Sequence, residues 1–391
     1  MTLARFAFPT TIHFGPGAAK LVGPHLAEQR LRRPLVVTDR ALAKLPVTAA
    51  FVAGLEKSGL EVAVYDGVFG NPTASQANAG GAAFRAHRAD AVVGFGGGAA
   101  LDVAKIVGVL GTAGGDAIEY AWDHPKVRPI PDAIPTFVAL PTTAGTGSEV
   151  GRSAVVSEDD THIKRIVFSP KILAKQVFAD PELTVGLPAG VTAATGMDAL
   201  THNVESYLSP AYHPLCDGIA LEGARIAAHA LPTAVRDGSN LAARGDMLMA
   251  SMMGAIAFQK DLGAVHSCAH ALSTVADLHH GLANGVMIDH VMAFNLPSAV
   301  AKMAELARVC GAKGGDSGSV ESRAASFLLW LKDLKAVVGI PARLSGLTGG
   351  RPVTRADLPR LVEVASADIC HQTNPRPCAK ADFEALFASA L

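Results

Sequence analysis

Two pairs of residues four positions apart could hold a metal ion. Asp198 and His202 sit in "MDALTH", and His266 and His270 sit in "HSCAH". Residues at i and i+4 share one helical face, so each pair can aim its side chains at a common point. His280 follows after a short gap, with His279 before it and Gly281 behind it. Carboxylate oxygen and imidazole nitrogen are donors that both Zn(II) and Fe(II) accept. A lone histidine in an apolar segment is most simply a core residue. Several at two helical spacings would be costly to bury without a shared partner, and a cation is the simplest one. "HSCAH" lacks the glutamate of the HExxH zinc peptidases, which argues against hydrolysis by that route.

A second set of residues suits a nucleotide. In "ADAVVGFGGGAALDVAK", Gly94, Gly96 and Ala99 match G-x-G-x-x-G/A between a strand and a helix. Glycines there let backbone N–H groups approach a pyrophosphate, and the helix N-terminus adds partial positive charge. The position departs from the usual fingerprint, which ends the first strand; several strands precede this one. The acid normally found about 20 residues downstream does not follow a strand here. Asp39, closing "LVVTD", is an upstream alternative. An acid there could take ribose hydroxyls and repel a 2′-phosphate, or it could cap a helix. A second polar loop, "PTTAGTGSEV" (141–150), also follows an apolar strand. A metal and a nicotinamide in one cleft suggest alcohol oxidation. The ion would acidify a hydroxyl as it does water, favouring loss of hydride to the cofactor, and in reverse would polarise a carbonyl.

These residues need elements to carry them. "PLVVTD", "LEVAVYDGV", "ADAVVGFGGG" and "PTFVALPTTAG" read as strands, with helical stretches such as "ASQANAGGAAFRAHRA" between them. Alternation of that kind implies right-handed crossovers and a mostly parallel sheet. Residues 149–170 read as two strands with an acidic turn, a hairpin appended to that sheet. From about residue 188 the pattern is i, i+3, i+4 throughout, as in "PAGVTAATGMDALTHNVESYLSP" and "VAKMAELARVCG". The expected architecture is an α/β dinucleotide-binding domain, Rossmann-like, over 1–185 and an all-helical metal and substrate domain over 186–391.

Composition narrows the classes. The chain has 391 residues, 49% hydrophobic and 18% charged, with net charge −1. That suits a folded chain of two domains with a substantial core. No basic block points to nucleic acid, and no uncharged apolar run of about eighteen residues points to a membrane span. "MTLARFAFPTTIHFG" lacks a leader's apolar core, so the cytoplasm is the default location. Five widely spaced cysteines without a CxxC read as free thiols in a reducing compartment.

Taken in order, the motifs resemble those of the iron-dependent (group III) alcohol dehydrogenases. They are "FGPGA", "TD" at 38–39, "NPT" at 71–73, "GGGAALDVAK", "LPTTAGTGSEV", "FADPELTVGLP", "GMDALTHNVESY", "GAVHSCAH", "HHGLANG" and "TNPRP". The resemblance runs essentially end to end. It implies Asp198, His202, His266 and His280 as metal ligands, with Fe(II) the family metal and Zn(II) left open. It implies that His270 is an active-site histidine that binds substrate or relays a proton, and that Phe258 lines the substrate pocket. His279 has no family counterpart and reads as a bystander. For NAD, the resemblance places Asp39 at the adenosine ribose and Asn71 near the nicotinamide. Gly96, Gly97 and Gly98 fall on the pyrophosphate loop, and Asp102 and Lys105 in the helix after it. Thr142, Thr143, Thr146 and Ser148 fall on the second loop, and Lys164 near a ribose. Ala99 stands where the family usually has serine, removing a hydroxyl near the phosphates.

The implied function is reversible hydride transfer between a small alcohol and an aldehyde or ketone, in a homodimer. Maleylacetate-type reductases and glycerol-type dehydrogenases are alternatives within the superfamily. They tend to differ at the metal residues, so a full Asp-His-His-His set argues against a metal-free reductase. A lyase similar to dehydroquinate synthase should carry clustered lysines and arginines, whereas residues 240–280 hold only Arg244 and Lys260.

Overall fold

Apolar, β-branched runs bounded by Gly, Pro or Asp form the strands of the α/β half. The computed structural model describes Phe8, residues 10–347 and residues 351–391. Residues 1–7, part of the stretch read above for a leader, lie outside the described residues. The first half runs β1 (Thr11–Phe14), α1 (Val22–Glu28), β2 (Pro34–Asp39), α2 (Pro46–Lys57), β3 (Ala63–Val68), α3 (Ala74–His87), β4 (Ala91–Gly96) and α4 (Gly98–Ala113). It continues with β5 (Thr136–Pro141), β6 (Ser153–Ser157), β7 (Lys164–Phe168) and β8 (Gln176–Ala179). Six strands form one sheet in the order β1-β8-β5-β4-β2-β3, every neighbouring pair parallel. β4 is buried at every residue, as a parallel strand covered on both faces must be. Phe51 and Leu55 of α2 pack with Val36, Phe95, Val138 and Phe178 of the sheet.

The strand order reverses between β2 and β4. Their carboxyl ends, Asp39 and Gly96, therefore flank the switch point at which open α/β sheets take ligands. This accounts for a glycine loop that follows the fourth strand rather than the first: its place in the sheet matters, not its place in the chain. Two expectations need correcting. The 149–170 hairpin is antiparallel, but β6 and β7 form a separate two-stranded sheet, with one isolated bridge from Ser157 to Thr73. β1 and β8, four residues each, were not expected; "TIHF" and "QVFA" are too short to show a period.

Among the described residues after 185, regular structure is helical: α5 (Ala189–Leu208), α6 (Pro214–Arg236), α7 (Leu241–Ala257), α8 (Ala264–Ala276), α9 (His280–Val309), α10 (Val320–Val337), α11 (Leu358–Ala367) and α12 (Lys380–Ala390), with short 3-10 turns between them. α5 has 16 of its 20 residues buried, so it is the helix around which the others pack. "VAKMAELARVCG" is not a separate helix. It continues α9 beyond a kink at Ala299 (φ −136°), two residues after Pro297, whose ring and missing N–H break the hydrogen-bond ladder. The stretch Leu241–Lys260 is apolar and long enough to cross a membrane, yet 61% of its 18-residue window is buried in the protein. The chain divides into two compact units. Phe8–Thr143 and Gly147–Val185 make the α/β unit, and Ala144–Thr146 groups with Gly186–Leu391 in the helical one.

Candidate active site

In the helical unit, α5 presents Asp198 and His202, α8 presents His266 and His270, and α9 begins with His280. Three imidazoles converge on one carboxylate oxygen. Asp198 Oδ1 lies 4.0 Å from His202 Nε2, 3.8 Å from His266 Nε2 and 3.5 Å from His280 Nε2. Donors about 2.0–2.2 Å from a tetrahedral ion stand about 3.4 Å apart, so the set needs little closure to hold one. The ligand atoms of Asp198, His202 and His266 all lie within 4.8 Å of one another.

The far nitrogens fix which lone pairs face inward. His266 Nδ1 is 2.6 Å from the buried Glu205 carboxylate, and His202 Nδ1 is 3.3 Å from the Gly145 carbonyl. With N–H donated outward, each Nε2 keeps its lone pair toward Asp198, the arrangement that metal-binding histidines use. Burial pushes His202 down to about 4, against the attraction of Asp198, so this imidazole is neutral near pH 7 and able to ligate. Donor types, spacing and tautomers all fit a divalent cation.

Glycines bring the helices close enough. A Cβ on Gly281 of α9 would lie 2.4 Å from the Ala194 carbonyl oxygen of α5, and one on Gly254 of α7 would lie 2.8 Å from His202 Cβ. The start of α8 is closed by two distant side chains. Glu205 Oε1 accepts from Val265 N at 2.7 Å, and Asn374 Oδ1 accepts from Ala264 N at 3.2 Å. Asn374, from the late "TNPRP" motif, is itself paired with Asn295 inside the core.

His270 shares the cluster without facing Asp198. Its ring stacks on His280 with centroids 5.2 Å apart, and its Nδ1 is 2.7 Å from Asp368 Oδ2. Burial alone would raise the Asp368 carboxyl. His270, the Cys370 amide and the Ser267 hydroxyl outweigh it and hold the group well below the ordinary carboxylate range. Phe258 lies against His202, centroids 5.4 Å apart. His279 is exposed and caps α9, its Nδ1 accepting from Leu282 N at 3.4 Å. Glu205, Asn284, Asp368 and Asn374 were not singled out from the sequence. Glu205 carried a signal, because 198, 202 and 205 follow i, i+4, i+7 on one helical face.

In the α/β unit, Asp39 Oδ1 accepts from the amides of Ala41 and Leu42, so it caps the turn after β2. Its Oδ2 would be 3.8 Å from a Cβ on Gly96, beside the glycine loop. Gly97 precedes α4 and Gly98 opens it. The two loops are joined by Thr142 N donating to Gly96 O at 3.0 Å, and Thr143 lies against Gly97. Buried Lys105 and Ser148 and part-buried Asp102 form a lock. Lys105 Nζ donates to Ser148 Oγ at 2.7 Å, Ser148 Oγ donates to Asp102 Oδ1 at 2.5 Å, and Asp102 Oδ2 accepts from Val155 N at 2.9 Å. Ser157 N donates to Pro72 O at 2.8 Å, and Ser157 pairs with Lys164 across the hairpin, which draws the Asn71 loop and Lys164 toward one end of it. Thr146, by contrast, groups with the helical unit.

A parallel sheet with glycine loops at its switch point, joined in one chain to a helical unit with an aspartate–histidine cluster, carries the parts that a nucleotide and a metal each require. Comparison with known proteins agrees. Residues 9–181 match the iron-containing alcohol dehydrogenase family, and residues 192–391 match that family's C-terminal domain. The chain is 36% identical to the 4-hydroxybutyrate dehydrogenase of Cupriavidus necator over the full length of both. A crystal structure of 1,3-propanediol oxidoreductase superposes with a TM-score of 0.93 at 36% identity over all of both chains. The sulfoacetaldehyde reductase of Bifidobacterium kashiwanohense, solved with NAD+, gives 0.88 at 26% identity, covering 100% of this chain and 99% of that one. The chain belongs to the iron-containing alcohol dehydrogenase family and is an oxidoreductase acting on CH–OH groups.

Proposed function

We propose that this enzyme interconverts short alcohols and their aldehydes or ketones with NAD(H), and that Asp198, His202, His266 and His280 hold its cation, Fe(II) in keeping with the family or Zn(II). The observation that carries the reading is the convergence of three Nε2 atoms within 4.0 Å of one buried carboxylate oxygen. A cation there supplies Lewis acidity toward the substrate oxygen. The chain's own groups do the rest. Phe258 gives the substrate an apolar wall beside His202. His270, oriented by Asp368, accepts the hydroxyl proton on oxidation and returns it on reduction. The residue 186–391 domain holds metal and substrate, and the residue 1–185 domain holds NAD. There Gly96, Gly97 and Gly98 take the pyrophosphate, with Thr142, Thr143, Thr146 and Ser148 on the second loop. Asp39 takes the ribose hydroxyls, which favours NAD over its 2′-phosphate analogue. Asn71 and Lys164 serve the nicotinamide ribose side, and Asp102 and Lys105 hold the loops in place. The family resemblance supports a homodimer, and five free thiols suit the cytoplasm.

The lyase alternative loses its cationic residues. Arg244 is buried and spends its guanidinium on Gly238 O, Thr192 Oγ1 and Leu187 O, while buried Lys260 pairs with Asp217. Neither is free for a phosphorylated substrate. The test loads the protein anaerobically with Fe(II) or Zn(II) and assays short alcohols, diols and aldehydes with NAD(H). The panel includes 4-hydroxybutyrate, 1,3-propanediol and sulfoacetaldehyde. Net NADH formation with at least one alcohol is expected. Failure of every combination, together with unchanged metal content in Asp198→Ala, would overturn the reading.

A further inference from the structure

The amide of Asn284 lies among the atoms that would bind the cation. Asn284 is fully buried on α9, one helical turn beyond His280. Its Nδ2 is 2.7 Å from Asp198 Oδ1, 3.2 Å from His280 Nε2 and 3.4 Å from His266 Nε2. Its Oδ1 is buried without a hydrogen-bond partner. A buried carbonyl left unpaired is costly, so the amide's orientation is set by what its nitrogen faces. The nitrogen faces electron pairs. Asp198 presents a carboxylate oxygen, and His266 presents the Nε2 lone pair left when Nδ1–H is given to Glu205. An NH2 group has two hydrogens to offer, one for Asp198 and one for the imidazoles.

We propose that Asn284 is a positioning residue of the metal centre. Its amide holds the ligand atoms together before a cation arrives and keeps Asp198 aimed once one is bound. Lone pairs gathered on one point repel each other; the partial positive charge of the amide hydrogens offsets that repulsion, so the cage is formed in advance. When the imidazole lone pairs turn to an ion, the bond to Asp198 Oδ1 persists and fixes the carboxylate, as outer partners of ligating carboxylates do. This inference rests on the metal-site reading above.

The experiment uses full-length Asn284→Leu, which keeps volume and removes the donor, and Asn284→Ser, which keeps a smaller donor. Each is checked for native circular dichroism. Co(II) is the probe, with affinity measured by chelator competition and coordination by visible absorption. Leu is expected to weaken Co(II) binding about 10- to 100-fold, with band intensity close to wild type because the ligand number is unchanged. Ser is expected to recover part of the loss. Unchanged affinity in a folded Leu variant would overturn the proposal in favour of simple packing. A several-fold rise in band intensity would also overturn it, because Asn284 would then have been a ligand whose loss lowers the coordination number. Asp198→Ala is the control for the parent reading: if it binds Co(II) as wild type does, the metal site itself is misassigned.

Discussion

His270 takes its orientation from Asp368, 98 positions further along the chain, and that one bond decides which ring nitrogen carries the proton. With Nδ1–H given to the carboxylate, Nε2 carries the ring's lone pair, the form a proton relay would need. Asp368→Asn keeps the shape but presents an amide that can hold the opposite tautomer. Turnover should fall about tenfold or more, while bound metal per chain, measured by atomic absorption, stays at the wild-type level. A parallel loss of metal would show that Asp368 serves the cage instead of His270. The contrast with Glu205 shows what was legible among residues. Asp198, His202 and Glu205 share one face of a single helix, so their spacing in the sequence is also their geometry. Asp368 and Asn374 reach the site from segments with no periodic relation to α8, and only the packed chain brings them there. The choice of His280 over His279 rested on resemblance. In the structure His280 Nε2 is 3.5 Å from Asp198 Oδ1, and His279 Nδ1 accepts from Leu282 N at the start of α9; the ligand assignment stays a proposal.

At the level of elements, a glycine lets the start of α9 lie against α5 beside the proposed ligands Asp198 and His280. Gly281 sits where a methyl group would press on the Ala194 carbonyl oxygen at 2.4 Å. That carbonyl belongs to a helix backbone and cannot swing aside. Gly281→Ala should therefore lower stability by about 2 kcal/mol, read from urea unfolding, and weaken metal binding by drawing His280 away from Asp198. An alanine variant with native metal affinity would mean that α9 can shift without disturbing the cage. Strong alternation and buried runs made β2 to β5 readable. β1 and β8 were missed because four residues are less than a recognisable pattern; β8 is held between β5 and β1, and β1 pairs with β8. The hairpin was recognised as a hairpin but joined to the wrong sheet, since strand patterns carry no information about which edge a ribbon pairs with. "VAKMAELARVCG" was read as a helical stretch of its own; it is the part of α9 that resumes after the kink at Ala299.

For the molecule as a whole, the α/β unit carries a pH dependence that the helical unit does not explain. Burial pushes Glu149 from 4.5 up to about 7, against its own backbone N–H and the Lys105 ammonium. A carboxyl raised in the folded state contributes stability that is fully present below about pH 4.5 and is lost as pH rises through about 7. Glu149→Gln should flatten the stability profile across that window and leave the variant more stable than wild type above it. Urea midpoints taken across the range would show this, and parallel profiles for the two proteins would refute it. The two ends of α8's sequence neighbourhood raise a different matter, the order in which the site can be made. Glu205 precedes Val265 by 60 positions, and Asn374 follows Ala264 by 110. A nascent chain that has emerged as far as His280 already owns every proposed ligand, yet the amide opening the His266 helix still lacks its acceptor. The hydrogen bonding that opens the His266 helix is therefore complete only once residue 374 has been made.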